Sequence, residues 1–155
     1  MLNSDVLKKV RYILDYNDDK MIQMFKLGGL EVNREKVSNW LKREEDEDYK
    51  NPQDVEFASF LNGLIIEMRG KREGEQPAPE KNLTNNIVFR KLTIAFNIKS
   101  DEILEILALA DLRVGKPELT AFFRKVGHKN YRECKAQILR NFLHGLQIKL
   151  RPKHD

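Results

Sequence analysis

Phe60-Leu61-Asn62-Gly63-Leu64 and Phe142-Leu143-His144-Gly145-Leu146 are one pattern written twice, 82 positions apart, and the rest of the chain is read from that spacing. Outward from it the same shift, without a gap, sets Val6 on Val88, Lys9 on Lys91, Asp19 on Asp101, Tyr49 on Tyr131, Ile66 on Ile148 and Arg69 on Arg151. Leu27, Leu30 and Val32 fall on Leu109, Leu112 and Val114. Between these identities apolar residues exchange for apolar ones, as Val10 for Leu92, Met21 for Ile103, Phe25 for Leu107, Val37 for Leu119 and Trp40 for Phe122. Self-similarity at one fixed spacing is the signature of a duplicated structural unit.

Each copy reads as four helices. In the first copy Asn3, Ser4 and Asp5 offer caps to a helix striped by Val6, Val10, Ile13 and Leu14. A second helix from Asp18 carries Met21, Ile22, Met24 and Phe25 and stops at Gly28-Gly29. Asn33 caps a third, with Val37, Trp40 and Leu41; in the second copy Gly115 takes the cap and Pro117 the first turn, where its missing donor costs nothing. The fourth opens at Asn51-Pro52 and stripes Phe57, Phe60, Leu61, Leu64 and Met68, repeated as Leu139, Phe142, Leu143, Leu146 and Leu150. Gly63 and Gly145 lie inside that helix, where glycine costs about 1 kcal/mol against alanine. Either a neighbouring helix passes close to them or they are inherited and tolerated.

The stretch from Gly70 to Lys81 is dense in Gly, Pro and charge and has no apolar period, so it reads as a linker. The expected architecture is all-α: a tandem repeat of two four-helix units with helix-turn-helix-like segments. The first repeat spans residues 1–69, the linker 70–82, the second repeat 83–151 and a tail 152–155. A unit this small is near the lower limit for a core that folds alone, so the copies are expected to pack with pseudo-twofold symmetry.

Asn85-Asn86-Ile87-Val88, Lys91-Leu92-Thr93-Ile94-Ala95-Phe96, Pro117-Glu118-Leu119-Thr120, the segment His128-Lys129-Asn130-Tyr131-Arg132-Glu133-Cys134 and Phe60-Leu61-Asn62-Gly63-Leu64 resemble the YehS-like bacterial proteins. The likeness covers nearly the whole chain, duplication and variable linker included. It implies a bacterial cytoplasmic protein and brings no catalytic residue with it.

Charge divides the copies. Residues 1–76 hold 13 Lys+Arg against 16 Asp+Glu, and residues 83–155 hold 14 against 7. The first half is therefore acidic and the second basic, which points to an anionic partner on the second. Glu44-Glu45-Asp46-Glu47-Asp48 would repel phosphate, whereas the aligned stretch is Val126-Gly127-His128-Lys129-Asn130. In a helix-turn-helix reading the exposed residues of the third helix would meet bases and phosphates. The first copy would offer Lys36, Asn39, Lys42 and Arg43. The candidate nucleic-acid-binding residues are those of the second copy: Lys116, Thr120, Arg124, Lys125, His128, Lys129, Arg132, Lys135 and Arg140. Against that reading, Leu27 or Leu109 stands where tight helix packing takes a small residue, and Glu31 or Arg113 where the turn takes glycine. The bland alternatives are a plain helical cluster and an ordinary solvated basic surface.

Two functions are carried forward: a nucleic-acid-binding or regulatory protein that uses the basic repeat for DNA or RNA, and a protein-interaction adaptor without nucleic acid. No enzyme is expected. His128 near Cys134 could make a nucleophile only with an orienting group and an oxyanion site, and Cys134 reads better as a small buried residue. Tyr131, matched by Tyr49, reads as a packing ring. One cysteine beside His128, His144 and His154 forms no zinc pattern, and Gly28-Gly29 lacks the lysine and hydroxyl of a phosphate loop, so neither metal nor cofactor is expected. No apolar run approaches the roughly 18 residues of a spanning helix, and the amino end is polar where a signal peptide is basic and then apolar. A cytoplasmic location is expected, with no membrane partner; the oligomeric state is left open.

Overall fold

The computed structural model describes residues 1–151, which hold eight α-helices and no strand. They are α1 (Asn3–Leu14), α2 (Asp18–Leu27), α3 (Arg34–Leu41), α4 (Asp54–Arg69), α5 (Asn85–Ala95), α6 (Ser100–Leu109), α7 (Lys116–Phe122) and α8 (Ala136–Leu150). Each helix of the second set begins 82 positions after its counterpart, so the duplication is a property of the fold. The chain divides into two compact units, Met1–Leu83 and the part from Thr84 onward. The tail 152–155, with His154, lies outside the described residues.

Side-chain caps start several of these helices. The Asn17 carbonyl accepts from the Lys20 amide at 2.9 Å, Asn33 from Lys36 at 2.8 Å, and the Thr84 hydroxyl from Ile87 at 3.2 Å. The turns that end α1 and α5 also repeat. Asp15 and Asn97 occupy one register position and share a left-handed conformation, φ 55° and 54°. Two expected starts shift. Asn3, Ser4 and Asp5 lie inside the first turn of α1, where the Asp5 carboxylate reaches back to the Leu2 amide. The fourth helix starts at Asp54 rather than Asn51-Pro52, because the Asn51 side chain and the Pro52 carbonyl are bonded to Ser4 and Asn3 of α1, which holds that dipeptide outside the helix.

The apolar stripes face inward as their spacing requires. Val6, Val10, Met21, Phe25, Val37, Trp40, Phe57, Phe60 and Leu64 are buried in the first unit, with the Phe25 ring 5.0 Å from Trp40 and 5.1 Å from Phe60. The second unit packs Phe89 against Phe142 at 4.9 Å and Phe123 at 5.3 Å. Each large side chain so buried stabilises its unit by about 1.5–3 kcal/mol. Several apolar residues at helix ends do not join the core. Leu27 and Leu109, the last residues of α2 and α6, are 36% and 46% exposed, and Met68 and Leu150 at the ends of α4 and α8 are also exposed. Of the residues around the turn before the third helix, Val37 and Trp40, and Leu119 and Phe122, are buried, whereas Leu27 and Leu109 are not.

The helix glycines mark close approach. A Cβ on Gly63 would stand 1.7 Å from the Met24 carbonyl oxygen, and one on Gly145 1.9 Å from that of Ile106. So α2 crosses α4, and α6 crosses α8, backbone against backbone. The stretch after α4 is not helical and lies along the first unit. Arg72, Gln76 and Pro77 close a small apolar slot of about 200 Å³ with Leu27, Ile65 and Ile66, and the Leu83 amide donates to Asp54 Oδ2 at 2.8 Å.

Candidate functional site

In both units the connection between the third and fourth helices is folded by the same backbone bonds. The His128 amide donates to the Lys125 carbonyl at 3.0 Å, Tyr131 to His128 at 2.9 Å, and Arg132 back to Ala121 of α7 at 3.2 Å. In the first unit the corresponding bonds run from Asp46 to Arg43 at 3.0 Å, Tyr49 to Asp46 at 3.1 Å, and Lys50 to Asn39 of α3 at 3.2 Å. One side-chain turn repeats with a change of chemistry: the Asp48 amide donates to Asp46 Oδ1 at 2.9 Å, and the Asn130 amide to His128 Nδ1 at 3.0 Å.

The loops are fastened to the first helix of each unit by different means. In the first unit the Ser4 and Tyr49 hydroxyls meet at 2.5 Å, and Lys8 stands 5.4 Å over the Tyr49 ring. Asn86 takes the place of Ser4 in the second unit. Its buried amide donates to the Phe122 carbonyl at 3.0 Å and the Arg132 carbonyl at 2.8 Å, and its Oδ1 accepts from the Cys134 amide at 2.9 Å. Asn86 thus fastens the loop by its backbone. Among the described residues the Tyr131 hydroxyl has no hydrogen-bond partner, and no ring or cation covers its face.

Between helix and loop each unit has an open groove. That of the second unit, about 1050 Å³, is lined by Gly115, Lys116, Pro117, Glu118, Thr120, Ala121, Arg124, Lys129, Asn130, Tyr131 and Arg132. That of the first unit, about 560 Å³, has Glu35 and Glu56 facing Lys36 and Lys50. Four cations against one carboxylate in the second groove contrast with two against two in the first.

Local pairing widens the difference. In the first unit Lys36 lies 2.9 Å from Glu56 and Lys42 3.6 Å from Asp48, and Arg34 pairs with Asp18 and Asp19. At the positions of Glu56 and Asp48 the second unit has Ile138 and Asn130. Lys116 keeps a 3.4 Å contact with Asp101, both side chains largely in water. Arg124, Lys129 and Arg132 have no acidic partner among the described residues.

Of the candidates read from sequence, Lys116, Thr120, Arg124, Lys129 and Arg132 come together in this groove. Lys125, His128, Lys135 and Arg140 do not line it. Lys125 is exposed on the loop, the His128 ring is engaged in the turn with Asn130, Lys135 precedes α8 with no capping bond from its side chain, and Arg140 reaches Gln137 Oε1 at 3.2 Å. Tyr131 was missed, because its match with Tyr49 suggested packing; the available signal was the loss of the Ser4 hydroxyl at position 86. Cys134 is fully buried, and burial, with the Glu133 carboxylate adding, pushes its thiol up to about 12. At neutral pH this buried thiol stays protonated. Among the described residues no cluster of three His, Cys, Asp or Glu side chains could hold a metal ion, and no helix is long and apolar enough to cross a membrane.

A duplicated four-helix unit with one groove per copy is the class of protein this geometry defines. The family described as protein of unknown function DUF1456 matches it twice, over residues 3–70 and 85–151, and the chain belongs to that family. It is 47% identical over 148 residues to the uncharacterized protein YehS of Escherichia coli (strain K12), a match that covers 94% of each chain. No solved structure matches.

Proposed function

We propose that this is a cytoplasmic nucleic-acid-binding protein, not an enzyme, whose binding surface is the groove between α7 and the 123–135 loop. The observation that carries the reading is the difference in counter-charge: at the positions of Glu35 and Glu56, which line the first groove, the second repeat has Pro117 and Ile138, and Arg124, Lys129 and Arg132 line its groove without an acidic partner. An array of this kind binds phosphate by displacing its counterions. The first repeat, with five consecutive acids at 44–48, would then serve as scaffold or partner contact. The adaptor reading is weaker in the first repeat, where the chain's own linker already lies over the apolar slot beside Leu27 and Ile66. Neither reading requires a helix-turn-helix, and α7, with seven residues, is short for a recognition helix.

The test is a titration of mixed-sequence DNA and RNA at low and moderate salt, with Arg124→Glu and Arg132→Glu alongside the native chain. Binding that weakens with salt and is abolished by either reversal is the expected result. Absence of binding at low salt would refute it and leave the adaptor reading in front.

A further inference from the structure

Resting on the nucleic-acid reading above, the geometry points to a narrower partner: we infer that the groove of the second repeat takes a single strand, with one base stacked on Tyr131 and the flanking phosphates on Arg124, Lys129 and Arg132.

Three observations carry this. The first is the release of the tyrosine. Tyr49 is held in the first repeat by Ser4 and covered by Lys8, while Tyr131, half-buried at the same position, keeps the backbone bond to His128 but has neither hydroxyl partner nor cover. In the second repeat the loop is fastened instead by Asn86. The second is the neighbourhood. The ring lines the groove together with four cationic side chains, and an aromatic face set in a positive groove is the arrangement by which proteins hold unpaired bases, since every base has a stacking face. A paired base presents only its edge and cannot stack on the ring.

The third is shape. The cations line a concavity between α7 and the loop, rather than the outer face of a helix long enough to lie in a major groove. The loop that supplies Lys129 and Arg132 also carries Val126, 80% exposed, just before Gly127 in a left-handed conformation. Nothing in the fold of the unit uses Val126. An apolar side chain held out in water on the loop that carries these cations suits contact with the face of an unstacked base.

The experiment uses the full chain and labelled short strands of DNA and of RNA, with a hairpin duplex of matching base composition and an inorganic polyphosphate as comparisons. Single strands should bind more tightly than duplex or polyphosphate, and Tyr131→Phe should keep that affinity. Tyr131→Ala should lose roughly tenfold or more on strands, the loss that removal of a stacking ring produces, with little change on polyphosphate. Crosslinking of a 5-iodouracil strand to the native chain, which needs no variant to fold, should map to Tyr131. Tighter duplex binding with an indifferent Tyr131→Ala, an equal loss on polyphosphate, or a crosslink on the first repeat would overturn the inference while nucleic-acid binding stood. No binding of any polyanion at low salt would overturn both. Preference between the DNA and RNA strands identifies the source of the strand.

Discussion

The loop after α3 and the loop after α7 share their backbone bonds and almost none of their surface chemistry. Residues 42–50 present five consecutive acids, a lysine, Lys42, paired with Asp48 and a tyrosine locked to α1. Residues 125–132 keep the three backbone bonds and the side-chain turn, yet offer Lys129 and Arg132 without acidic partners and a tyrosine with its hydroxyl unused. The comparison teaches that the turn is specified by main-chain geometry and one acceptor at position 46 or 128, which carboxylate and imidazole both supply. Everything else on the loop was at liberty to diverge.

The largest effect should fall where the repeats agree. Gly63→Ala and Gly145→Ala each drive a Cβ into a carbonyl oxygen less than 2 Å away, so the crossing helices must separate. Each should lower stability by about 3 kcal/mol in denaturant titration. A neutral result for either would mean that the two crossings are not equivalent. Next comes the fastening of the loops. Asn86→Ala strands two carbonyls and an amide and should cost about 2–3 kcal/mol, more than Ser4→Ala, whose hydroxyl makes one bond.

A smaller effect concerns a pair of reversed polarity. Lys20 bonds Glu67 in the first repeat, which raises its pKa, and at the same register Glu102 bonds Lys149 in the second. Lys149→Glu should destabilise by less than about 1 kcal/mol at this partly exposed site, and adding Glu102→Lys should recover the loss. Failure of the double variant to recover would show that the two pairs are not interchangeable. Cys134 supplies a pH test. Its folded thiol is raised to about 12 from an ordinary value of 9, so the unfolded chain releases that proton first. The stabilising contribution is therefore complete below pH 9 and is lost as pH climbs towards 12. At neutral pH iodoacetamide should label Cys134 only on unfolding; rapid labelling of the native chain would contradict its burial.

The fold was legible because a helical core depends on spacing, and spacing survives duplication: Val6, Phe25, Trp40 and Phe60 and their counterparts are buried where the stripes set them. The same stripe could not show where a helix outruns its neighbour, so Met68 and Leu150 were read with the apolar face though both are exposed. The site was legible in its charge but not in its composition. Counting cations along 116–140 could not separate Arg124 and Arg132, which line the groove, from Lys135 and Arg140, which do not. Tyr131 was hidden by its match to Tyr49. Identity at a position carries a role only when the partner is also kept, and Ser4 had become Asn86.

The most direct test is an exchange of loop sequences, because the backbone bonds are common to both. Writing Glu44, Asp46, Glu47 and Asp48 into positions 126 and 128–130, with Gly127 kept for its left-handed backbone, should leave the chain folded and abolish its salt-dependent affinity for single-stranded nucleic acid, and writing Val126-Gly127-His128-Lys129-Asn130 into positions 44–48 of that variant should not restore native affinity, since Ser4 still locks Tyr49. A folded variant with the acidic residues at 126 and 128–130 and undiminished binding would contradict the account.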